Sequence, residues 1–80
     1  MESRARQNMI NTIKMLSHTY EAFKLIKEML IEYINEDKNL KDIKSEMINS
    51  IKMLPQNSGS FELLEKMLIR RINEDKRYTI

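Results

Sequence analysis

MLIEYINEDK at residues 29–38 returns as MLIRRINEDK at residues 67–76, and the two words differ only at Glu32 against Arg70 and Tyr33 against Arg71. Working outward at the same offset of 38 positions, INTIKML at 10–16 falls on INSIKML at 48–54, Phe23 on Phe61 and Leu25 on Leu63, with no gap. The chain is thus an internal duplication of residues 1–38 and 39–76, followed by a tail at 77–80. A period of this length belongs to helix pairs. Stacked helix-pair arrays need three or more copies and capping units, so two copies suit a closed bundle better.

Composition points the same way. Apolar residues make up 41% and charged residues 32%, with a single glycine and a single proline, which is the profile of a helical protein. Eighty residues form one domain, 1–80, of marginal stability, and the absence of cysteine removes disulfides and thiolate metal sites as supports. What is left is good helix packing or self-association. The longest apolar run, Met29-Leu30-Ile31, is far short of the roughly 20 residues of a membrane span. No secretory leader is read at the start, so a cytoplasmic protein with no membrane contact is expected. The richness in Lys, Ile and Asn suits a bacterial or phage source.

Each copy reads as two helices. In the second, Asn39 with Asp42 is expected to start a helix whose apolar face is Leu40, Ile43, Met47, Ile51 and Leu54. The stretch from Pro55 to Ser60 breaks it, and a further helix begins near Ser60 and runs to about Asn73. The first copy has Ala5, Met9, Ile10, Ile13 and Leu16 in matching places, and a turn is expected at residues 17–21. That turn lacks Pro and Gly, so the alternative is one long helix over residues 3–37 followed by a helical hairpin, which would require an obligate dimer. The favoured architecture is all-α: two helical hairpins packed as a four-helix bundle.

The second helix of each copy carries more apolar residues than one inward stripe uses. With Leu30 at the centre of the inward face, Phe23, Ile26 and Ile34 lie beside it, while Leu25 and Met29 form a second stripe that the other copy repeats as Leu63 and Met67. Such a stripe is either covered within the bundle or a homodimer, or offered to another protein. The candidate partner-binding residues are Leu25, Met29 and Tyr33, with Leu63, Met67 and Arg71 as counterparts.

At aligned positions the second helices also exchange sign: Lys24 against Glu62, Lys27 against Glu65, Glu28 against Lys66, Glu32 against Arg70. Helices lying side by side in the same direction would bring these opposite charges together. A paired sign change also leaves the local four-residue pairs Lys24–Glu28 and Glu62–Lys66 intact, which needs no partner at all.

The remaining motifs favour structure over chemistry. The INEDK words lack the ligand spacing and central glycine of a calcium loop, so Asp37 and Asn39 are read as caps at the junction to the next helix. His18 is the only histidine and reads as a solvent-facing turn residue. No cofactor or metal is expected, and no enzyme activity. Arg4, Arg6, Arg70, Arg71, Lys76 and Arg77 are the candidate phosphate contacts of an alternative nucleic-acid-binding reading, diluted by Glu2, Glu74 and Asp75. The favoured function is a small helical interaction module, a regulator, adaptor or inhibitor, expected to act as a homodimer.

Overall fold

The computed structural model of the chain describes residues 4–78. Glu2, Thr79 and Ile80 of the motifs above lie outside the described residues. Four helices follow one another, α1 (Arg4–Lys14), α2 (Tyr20–Glu36), α3 (Lys44–Lys52) and α4 (Ser58–Glu74), and a short 3₁₀ turn, Lys76–Tyr78, closes the described chain. No strand occurs among the described residues.

The two copies keep one backbone course. α2 and α4 have the same length and are offset by the duplication period. Each starts at an equivalent N-cap: the Thr19 hydroxyl accepts from Ala22 N at 3.1 Å, and the Asn57 side chain accepts from Ser60 N at 2.8 Å. A cap of this kind satisfies one of the backbone donors that every helix start leaves open. The cap at Thr19 replaces the missing Pro and Gly as the helix boundary. Residues 15–19 are non-helical, which rules out the long helix over 3–37.

The start of α3 differs from the sequence expectation. Asn39 does not cap it: its backbone N–H donates to Asp37 Oδ1 at 2.8 Å in a local turn, and α3 begins only at Lys44, after Ile43, with no side-chain cap. Asp37 takes that hydrogen bond because it stands just past the end of α2, where its own backbone N–H is already tied to Ile34 O. Arg77 N and Asp75 Oδ1 repeat the same turn at 2.9 Å after α4.

The helices pair across the copies rather than within them. α2 packs on α4, α3 packs on α2, and α1 packs on α4. Phe23 lies near Phe61 with ring centroids 6.3 Å apart, and Tyr33 reaches Asp75 at the other end, so α2 and α4 run parallel. Arg6 of α1 meets the end of α4 and His18 meets its start, so α1 is antiparallel to α4. Lys44 of α3 meets the end of α2, and Lys52 and Leu54 approach Lys27, so α3 is antiparallel to α2. A pseudo-twofold axis therefore runs along the central pair. The molecule is flat, with extents of 37 × 33 × 15 Å.

The core follows the inward stripe read from the sequence. Ile26, Leu30 and Ile34 of α2 and Leu64, Leu68 and Ile72 of α4 are fully buried, with Phe23 and Phe61 at one end. Ile10 and Ile13 of α1 and Ile51 of α3 close the same cluster from the flanks. Burying a side chain of this class contributes about 1.5–3 kcal/mol relative to exposure. These residues hold the four helices as one unit and fix which faces of α2 and α4 point outward.

Candidate interaction surfaces

The outer faces of α2 and α4 carry the second stripe. Leu25 is 47% exposed and Leu63 48%, while Met29 and Met67 are partly buried against the core. Leu63 and Met67 form one wall of an apolar groove whose other wall is α3 and the residues at its two ends, through Ile43, Met47, Ile51 and Leu54. Around the equivalent Met29 the space is taken differently, because Tyr78 of the 3₁₀ turn lies beside it. Met15 and Met53, equivalent residues just past α1 and α3, are both 82% exposed, and neither stands out in the sequence from the core methionines.

At the C-terminal ends of the central pair, the repeated words acquire a structural meaning. Tyr33 donates its hydroxyl to Asp75 Oδ2 at 2.7 Å, and Arg71, which stands where Tyr33 stands in the other copy, donates to Asp37 Oδ2 at 2.7 Å. Each second helix thus reaches across to the aspartate that ends the other. The first helices add a matching bond: Arg6 donates to Asp75 O at 2.7 Å and Lys44 to Asn35 O at 2.8 Å, both at helix ends where carbonyls lack helical partners. Asp75 also accepts from Arg77 Nε and Nη2, and Arg77 in turn reaches Glu36 at 3.3 Å.

These bonds set the local electrostatics. The Arg77 guanidinium, followed by the Tyr33 hydroxyl, holds the Asp75 carboxyl down at about 2. Arg71 and the Asn39 N–H hold Asp37 below the usual carboxylate range. Burial, with the Asp75 carboxylate on its hydroxyl, pushes the Tyr33 phenol well above its ordinary value, and Asp75 and Glu36 raise Arg77. The cluster is a clasp in which Tyr33 and Arg77 hold Asp75 while Arg71 holds Asp37.

At the opposite end, the connection of residues 15–19 crosses the start of α4. His18, exposed, stacks on Phe61 at 4.1 Å between centroids, with Nδ1 3.4 Å from Ser58 Oγ. Lys27 lies over the Phe23 ring and donates to Lys52 O and Leu54 O at 2.9 and 3.2 Å, closing the end of α3. Its counterpart is Glu65, so this contact exists in one copy only.

The six residues expected to bind a partner therefore separate into two groups. Leu25, Met29, Leu63 and Met67 share the outer faces; Tyr33 and Arg71 are engaged inside the molecule. Among the six candidate phosphate contacts, Arg6, Arg71 and Arg77 donate to groups of the protein itself, and Arg4, Arg70 and Lys76 are exposed. The ion pairs found among the described residues join Arg71 to Asp37 and Arg77 to Glu36 and Asp75. α2 and α4 do run parallel, yet the sign-reversed residues do not meet within the molecule: Lys24, Glu28, Glu32, Glu62, Lys66 and Arg70 are exposed. No group of three or more His, Cys, Asp or Glu residues among the described residues is placed to hold a metal ion, and none of the described helices is long and apolar enough to cross a membrane.

The chain matches no family model, no curated protein and no solved structure.

Proposed function

We propose that the protein is a small, non-enzymatic, cytoplasmic interaction module, a regulator, adaptor or inhibitor that works by laying the outer faces of α2 and α4 against protein, its own copies first. The observation that carries this reading is the pair Leu25 and Leu63, equivalent by duplication and left 47% and 48% exposed on helices whose other apolar residues, Tyr20 apart, are buried or half-buried. A leucine half in water at both equivalent places, each beside a partly buried methionine, is surface that an assembly covers. The nucleic-acid reading has less behind it, because half of its candidate cations already donate within the molecule.

The test is solution mass as a function of concentration, on the wild type and on Leu25→Gln with Leu63→Gln. Glutamine keeps the helix propensity of leucine, and both positions lie outside the buried core, so the melting curve at low concentration is expected to change little. The wild type is expected to rise above its 9.6 kDa monomer mass and the double variant to stay there. A wild type that remains at 9.6 kDa throughout, or a variant that associates equally well, overturns the reading.

A further inference from the structure

The outer faces of α2 and α4 are alike in shape and unlike in charge. At about 100° per residue, the side chains within roughly 60° of Leu25 on the exposed side of α2 are Glu21, Glu28, Glu32 and Glu36. The equivalent set around Leu63 on α4 is Gly59, Lys66, Arg70 and Glu74. The two sets are exposed, apart from the contact of Glu36 with Arg77. Glu46 of α3 adds one negative charge at the far wall of the Leu63 groove. So Glu28 and Glu32 flank one apolar stripe, and Lys66 and Arg70 flank the other at the same register.

The geometry of the fold decides where these faces point. The pseudo-twofold axis runs along the parallel pair α2 and α4, and rotation about it carries the α2 stripe to the opposite side of the molecule. The two stripes therefore lie on opposite broad faces of a body 15 Å thick, and the reversed charges cannot meet within one chain. They can meet between two chains.

Resting on the interaction reading above, we infer that the protein assembles head to tail: the Leu25 and Met29 face of one copy seats on the Leu63 and Met67 face of the next, Glu28 opposite Lys66 and Glu32 opposite Arg70. The half-exposed Leu25 enters the groove that Leu63 and Met67 form with α3. Pairing of like faces is disfavoured, since two α2 faces would set Glu21, Glu28 and Glu32 of one copy against those of the other, Glu36 being already paired to Arg77. Because the joining faces are different and point in opposite directions, one of each stays open at the ends of every pair, and growth passes beyond the dimer.

The test uses two variants and their mixture. Glu28→Lys with Glu32→Arg makes both stripes basic, and Lys66→Glu with Arg70→Glu makes both acidic. All four sites are exposed, and circular dichroism of each variant alone checks that it is folded. Sedimentation at low ionic strength is expected to show association weakened about tenfold or more in each variant, on the order that juxtaposed like charges impose, and restored when the two are mixed. A single chain carrying all four changes has the complementarity exchanged and is expected to assemble as the wild type does, which covers the case in which either two-site variant fails to fold. The head-to-tail arrangement is overturned if the two-site variants associate like the wild type, if the mixture gains nothing, or if wild-type mass levels off at the dimer. A wild type that is monomeric at every concentration removes the interaction reading itself, so the two failures are told apart.

Discussion

Asp75→Asn removes the charge at the clasp between the copies. The asparagine side chain keeps one acceptor oxygen where Asp75 offers two, Oδ2 to the Tyr33 hydroxyl and Oδ1 to Arg77 N, so the negative charge facing Arg77 is lost together with one of these two bonds. The Asp75 carboxyl is held at about 2 against an ordinary 3.8. At about 1.4 kcal/mol per pH unit this sets an upper figure of about 2.5 kcal/mol. Arg77 is 66% exposed, and solvent screening brings the expected cost down to about 1–2 kcal/mol. For a domain of this size that is a fall in melting temperature of roughly 4–16 °C.

The sign of the pH dependence follows from the direction of the displacement. A carboxyl whose folded value lies below its unfolded value stabilises fully above the unfolded value and ceases to do so as pH falls through the folded one. The gap between wild type and Asp75→Asn should therefore be full at neutral pH, begin to close below 3.8 and be gone below about 2. Urea unfolding followed by far-ultraviolet circular dichroism measures it, at a protein concentration low enough that self-association adds nothing. A gap absent at neutral pH, or one that persists unchanged below pH 2, would refute the reasoning.

Three further changes test the helix starts. Gly59 sits in the first turn of α4 without a positive φ, and a Cβ there would meet only Asn57 Oδ1 at 3.4 Å, an ordinary contact; Gly59→Ala is expected to stabilise by about 0.4–1 kcal/mol in thermal unfolding, and a loss would show that the cap cannot accommodate the methyl. Thr19→Ala removes the cap bond to Ala22 N and is expected to cost about 1 kcal/mol, with Asn57→Ala costing about as much; an unchanged melting temperature in both would mean that the two boundaries are set by packing alone.

The inward stripe and the ends of the second helices were legible in the sequence because Phe23, Ile26, Leu30 and Ile34 and their counterparts keep a helical period on one face, and all are buried; the start of α4 was not, since the helix begins at Ser58 behind the Asn57 cap and not near Ser60. The break before α2 was weakly legible, since Thr19 is an unremarkable residue until it is seen to cap. Asn39 misled because Asp37 competes for the same stretch of backbone, and a turn formed there ahead of a helix start. Which helix packs on which was out of reach: the stripe of Met9, Ile13 and Leu16 fits the second helix of either copy equally well. Tyr33 and Arg71 looked like surface residues for a related reason, because helical spacing places a side chain on a face without saying that a neighbouring helix ends within its reach. Leu25 and Leu63 were placed correctly on the outer stripe, yet the opposition of the two broad faces needed the axis, which periodicity alone does not supply.

The crossed pairing of the helices makes this single chain a tethered dimer of its own halves. Neither unit of 38 residues closes a core alone, since each first helix finds its main support in the other unit. The span between α2 and α3, residues 37–43, therefore does more than connect: it turns an encounter between two separate fragments into an internal event, at an effective concentration on the order of millimolar for a short flexible link. Severed there, the protein would become a two-component system whose folding depends on dilution.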